Sequence, residues 1–76
     1  MNKQRRKRIA EAMELLQQAQ EIIEEVKDEE QEAFDNLPEG LQSSERGELM
    51  EEAISNLEEA YDGMDDIISS LEAAGE

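Results

Sequence analysis

The sequence contains no cysteine and no histidine. Without cysteine there is neither a disulfide framework nor a thiolate metal site, and without histidine the commonest general base and transition-metal ligand are both missing. Tryptophan is absent too, and proline, tyrosine and phenylalanine occur once each. No apolar run approaches the ~20 residues a membrane span needs. The basic start from Asn2 to Arg8 leads into Ile9-Ala10-Glu11 rather than the uninterrupted apolar stretch of a signal peptide. These absences predict a protein that is not an enzyme, carries no cofactor or metal, and stays in the cytoplasm where it is made.

The 76 residues amount to one domain at most. A single core of that size supplies only ~3–5 kcal/mol, so partner helices or self-association are expected. Charged residues make up 38% of the chain and the net charge is −15, a composition near the border of disorder. Periodicity decides for helix. Ile9, Ala12, Leu16, Ala19, Ile23, Val26, Ala33 and Leu37 keep to three-four spacing, with a polar interruption at Glu30. Met50, Ala53, Leu57, Ala60, Met64, Ile67, Leu71 and Ala74 repeat the signal independently.

Between the two runs stands Pro38, in a stretch that also holds Gly40 and the candidate N-caps Ser43 and Ser44. The predicted architecture is all-α: a single antiparallel two-helix hairpin, coiled-coil-like, with a helix over about 3–35, a turn over about 36–43 and a helix over about 44–74. Glu45 and Glu48 then face the positive end of the second helix's dipole. At 1.5 Å per residue the rod is about 45 Å long.

Placing the stripe at heptad positions a and d puts alanines on one row, which reads as the close contact line inside the hairpin. A further apolar row, Ile54, Tyr61 and Ile68, with Leu15 and Ile22 on the first helix, then lies beside that seam. An isolated hairpin is expected to leave it uncovered, which favours a homodimer forming a four-helix bundle, with these five residues at the oligomer interface.

Charge is distributed unevenly. Lys3, Arg5, Arg6, Lys7 and Arg8 hold five of the seven basic residues, so residues 9–76 carry a net −20. The basic start has two readings: a partner for Asp65, Asp66, Glu72 and Glu76 in the adjacent tail, or a phosphate-binding patch built on Arg5, Arg6 and Arg8. At the turn end Asp28, Glu29, Glu30, Glu32, Asp35 and Glu39 approach Glu45, Glu48, Glu51 and Glu52, with only Lys27 and Arg46 as nearby cations. Such crowding costs stability and points to a basic partner, or else to a solvated face that maintains solubility. Twenty net charges on a 45 Å rod is about one per 2 Å, against one per ≈1.7 Å in duplex DNA. Direct DNA binding is not expected from so acidic a chain.

Catalytic and metal constellations are weak. Asp62-Gly63-Met64-Asp65-Asp66 shares the composition of a calcium loop but not its register. The paired carboxylates lie on convex helix faces with no apolar shelter to raise a pKa. Di-metal bundle sites use Glu-x-x-His, which this chain cannot supply.

The strings Asp28-Glu29-Glu30-Gln31-Glu32-Ala33-Phe34-Asp35-Asn36-Leu37-Pro38-Glu39, Ser44-Glu45-Arg46-Gly47-Glu48 and Met50-Glu51-Glu52-Ala53-Ile54-Ser55-Asn56-Leu57-Glu58-Glu59-Ala60 resemble small acidic helical proteins of bacteriophages and prophages. About half the chain is covered. The resemblance implies a phage accessory protein in the cytoplasm of an infected or lysogenic bacterium, a class that includes anti-defence inhibitors, DNA mimics and nucleotide sponges. Three functions follow as expectations. The first is an acidic inhibitor that binds a basic surface of a host protein. The second is an oligomeric sponge holding a small nucleotide on its arginines, and the third is a structural coiled-coil module.

Overall fold

A computed structural model describes residues 1–76 as three helices without a strand: α1 (Lys3–Asp35), α2 (Glu39–Gln42) and α3 (Glu45–Ala74). Helices α1 and α3 pack against each other in an elongated body of 58 × 15 × 12 Å. Gln20 reaches the Tyr61 carbonyl oxygen, and Gly75 lies beside Ile9, so the two long helices run antiparallel. No helix is long and apolar enough to cross a membrane.

Each long helix begins at a side-chain cap. The Asn2 carboxamide oxygen accepts from the Arg5 backbone N–H at 2.8 Å, and the Ser44 hydroxyl accepts from the Gly47 N–H at 3.4 Å. The far end of α1 has no basic residue in its last turn. There the Gln42 side-chain amide donates to the carbonyl oxygens of Phe34 and Leu37, at 3.2 and 3.3 Å, and relieves two groups at the helix end.

The seam between α1 and α3 corrects the expectation of an alanine contact line. The row of Ile9, Leu16, Ile23 and Leu37 faces α3, but its companions are Met13, Gln20, Lys27 and Phe34, all buried or half-buried. On α3 the companions of Met50, Leu57, Met64 and Leu71 are Ile54, Tyr61, Ile68 and Gly75. Ala33, Ala60 and Ala74 point outward and are exposed, while Ala12, Ala19 and Ala53 are half-buried at the edge. Area accounts for the choice: at ~25 cal/mol per Å², enclosing isoleucine, phenylalanine and tyrosine is worth far more than enclosing alanine.

The reason for assigning Ile54, Tyr61 and Ile68 to an oligomer interface falls with that correction. The hairpin alone leaves Ile54 only 8% exposed and Ile68 7%, its two most buried apolar side chains, with Tyr61 half-buried between them. Leu15 and Ile22 differ, being 66% and 60% exposed.

A polar residue sits in the middle of the seam. Gln20, itself buried, donates from Nε2 to the Tyr61 carbonyl oxygen at 3.1 Å and to Asp65 Oδ1 at 2.7 Å. Both bonds join α1 to α3 at one level, so a slide of either helix by one turn breaks them. They fix the register of the pair.

Candidate functional site

At the turn end, Phe34 stands in the last turn of α1, four residues before Pro38 ends any continuation of the helix. Its ring is half-buried on the seam and reaches two adjoining surface hollows. One is lined by Gln31 and Phe34 of α1 with Glu51, Ile54, Ser55 and Glu58 of α3. The other is lined by Phe34, Glu39, Gln42, Ser43, Glu48 and Glu51. Sharing Phe34 and Glu51, the two form one short groove with an apolar floor of Phe34 and Ile54. Its rim carries four exposed carboxylates, Glu39, Glu48, Glu51 and Glu58, and no cation lines it.

That arrangement suits a long cationic side chain. The methylenes of an arginine or lysine lie against the ring while the charged head stays among the carboxylates. A cation over the face of an aromatic ring gains ~0.5–1 kcal/mol at an exposed site, and charge-assisted hydrogen bonds to carboxylates are among the stronger ones.

The acidic residues expected to act together are divided by the fold. Glu39, Glu48 and Glu51 line the groove. Glu29 and Glu30 line a separate shallow hollow with Val26, and Asp35 accepts a hydrogen bond from Gln31 Nε2 at 3.0 Å. Asp28, Glu32, Glu45 and Glu52 are exposed and line neither part of the groove. Phe34, Gln42 and Glu58 were not legible as site residues. The available signal was Phe34 as the sole phenylalanine, placed one turn before the helix breaker.

The same side of the hairpin continues past Tyr61. The nearby Glu24 carboxylate raises the Tyr61 phenol above its ordinary pKa of 10.0, helped by partial burial and by Asp65 and Asp62, while Lys27 pulls the other way.

At the opposite end the arginine trio is split. Arg5 and Arg8 flank a hollow with Met1, Ile9 and Ala12, whereas Arg6 lies on the other side with Met13, Leu71, Glu72 and Glu76. Within one hairpin the three guanidinium groups do not form a single patch: residues three apart share a helix face, and Arg6 points elsewhere. Asp62 to Asp66 lie inside uninterrupted α3 rather than in a loop.

The body is also longer than the expected 45 Å, because the turn and α2 extend beyond the long helices. The whole chain's net −15 over 58 Å is about one charge every 4 Å, sparser than the one per ≈1.7 Å of duplex DNA.

These features define a two-helix acidic hairpin with an aromatic-floored, carboxylate-rimmed groove at its turn. No protein-family model, curated protein or solved structure matches the chain.

Proposed function

We propose that this chain is a non-enzymatic binding protein that takes an arginine- or lysine-bearing surface of a partner protein into the Phe34 groove and so blocks that surface. In the phage setting implied by the resemblance, the partner is a basic surface on a host defence protein. The observation that carries the reading is the coincidence of an apolar floor with four unopposed rim carboxylates. Acidic residues alone occur over most of the molecule, whereas here they surround an aromatic ring. The wider charge spacing lends little support to mimicry of duplex DNA by a single hairpin. The separation of Arg6 from Arg5 and Arg8 likewise weakens the nucleotide-sponge alternative.

Calorimetry with a short peptide containing two arginines tests this. Glu48→Gln, Glu51→Gln and Glu58→Gln together should weaken binding about tenfold, because each removes a charge facing the bound cation. The control is Glu11→Gln, Glu14→Gln and Glu21→Gln, which removes the same charge from exposed positions on α1 away from the groove. Its effect should stay within about threefold, the part due to long-range field alone. Equal losses in the two triple variants would mean that net charge, and not the groove, attracts the peptide.

A further inference from the structure

The side of the hairpin opposite the groove is nearly free of charge. On α1 the residues Ala12, Leu15, Ala19, Ile22 and Val26 continue through Glu29 to Ala33 in steps of three and four. On α3 the sequence Leu49, Ala53, Asn56, Ala60, Gly63, Ile67, Ser70 and Ala74 does the same. Of these fifteen positions only Glu29 is charged, in a chain that is 38% charged. Leu15, Ile22, Leu49 and Ile67 are each at least half exposed, and Val26 is 44% exposed.

Geometry brings the two rows together. Each lies about a quarter-turn from the inner seam of its own helix, on the side away from the residues that line the groove. Gln31 and Phe34 of α1 share a hollow with Glu51, Ile54 and Glu58 of α3, so those rows occupy one side of the hairpin and the uncharged rows the other. The uncharged rows run about 38 Å along the body, from Leu49 to Ala74 at 1.5 Å per residue, and with its 15 Å breadth make a face on the order of 600 Å². That is somewhat below the ~800 Å² each partner of a standard interface contributes, the size of a weaker pair.

We infer that this face docks a second copy of the same chain, antiparallel to the first, with the two-fold axis near Ile22 and Gly63. Charge selects the orientation. Arg5 and Arg8 flank the open end of this face, 14 to 17 residues from Ile22, or about 21–26 Å along the helix. In an antiparallel pair they come level with the partner's turn end, where the exposed Glu45 and Glu52 neighbour Leu49 on the edge of this face and Arg46 is the one cation beside them. In a parallel pair the arginines of both copies meet one another, as do the acidic turns, and like charges repel.

Shape agrees at the centre. The Gln20 bonds to Tyr61 and Asp65 place Ile22 about level with Gly63. A side chain at Gly63 meets nothing within 4 Å in the single hairpin, and Ala60 beside it is exposed. The partner's Ile22 fits over that pair of small residues. The groove side stays outside the dimer, so this inference stands independently of the proposed function.

Analytical ultracentrifugation of the full chain at about 100 µM should show a species of twice 8.6 kDa. Leu15→Glu with Ile22→Glu alters only side chains exposed in the hairpin, so helicity should persist while the dissociation constant rises at least tenfold. The absence of native cysteine permits a single spin label at Lys7→Cys, outside the proposed contact. Its inter-copy distance should be about 45 Å or more for the antiparallel pair, from 15 residues on each side of the axis. A monomeric wild type, an unchanged dimer in the double variant, or a label distance below about 30 Å would each overturn the inference.

Discussion

Gly47 leaves less room for a side chain than any other glycine of the chain, and replacing it gives a sharp test of the turn. A Cβ at this position would lie 2.0 Å from the Gln42 carbonyl oxygen, 2.5 Å from its carbon and 2.7 Å from the Leu41 oxygen. All three are backbone atoms, so no flexible side chain can swing aside. The carbonyl has to retreat by more than 1 Å, which disturbs the Gln42 bonds to Phe34 and Leu37 and the Ser44 cap. Overpacking of this kind costs ~1–3 kcal/mol, and a backbone obstacle belongs at the upper end. Alanine returns about 1 kcal/mol in helix propensity, leaving a net loss of about 2 kcal/mol for Gly47→Ala. At ~4–8 °C per kcal/mol for a domain of this size, Tm should fall by about 8–16 °C. Circular dichroism melts at one protein concentration measure it, with Gly40→Ala as the comparison, since nothing lies within 4 Å of a side chain there. A Gly47→Ala protein melting at or above wild type would refute the close approach of α2 to α3.

Gln20→Leu should change stability by no more than about 1 kcal/mol, because an apolar side chain replaces a buried amide and Asp65 is free to turn to water. Its cost should appear as a second set of amide resonances from a slipped register, and a single sharp set would remove the register role. Tyr61, the sole tyrosine, should titrate above 10.0 by absorbance, with Glu24→Gln moving it back toward that value. Because the folded phenol is raised, its contribution to stability is complete below pH 10.0 and disappears as pH climbs from there through the folded value. A stability that rises with pH across that range would contradict the assigned cause. Added sodium chloride should raise Tm, since crowded exposed carboxylates repel one another and the Debye length is already ~10 Å at 0.1 M. A steady fall with salt would mean that attraction between opposite charges outweighs this repulsion.

The helical fold was legible because the three-four spacing of Ile9, Ala12, Leu16, Ala19 and Ile23, and of Leu57, Ala60, Met64, Ile67 and Leu71, permits little else. The face of each helix was harder to read. A seam can pair that row with the alanines on one side or with Met13, Gln20, Lys27 and Phe34 on the other, and both choices alternate threes and fours. The alanine row is uniformly apolar, and the sequence alone favours it for that reason. Only in three dimensions does Gln20 find its partners on α3, and only there do Ile54 and Ile68 become enclosed. The groove was hidden for a related reason. Glu51 and Glu58 look like any acidic helix face until the turn sets them across from Phe34, and the clearance that forces glycine at position 47 is set by α2.

The most direct test of the central claim is a set of intermolecular nuclear Overhauser contacts between the hairpin and an arginine-containing peptide. The sole phenylalanine gives ring signals that need no deconvolution. Contacts from the Phe34 ring and Ile54 methyl groups to the arginine side-chain methylenes, with none from Leu15 or Ile22, are the predicted result. Peptide-induced shifts scattered along all the acidic faces, with no contact to Phe34, would contradict it.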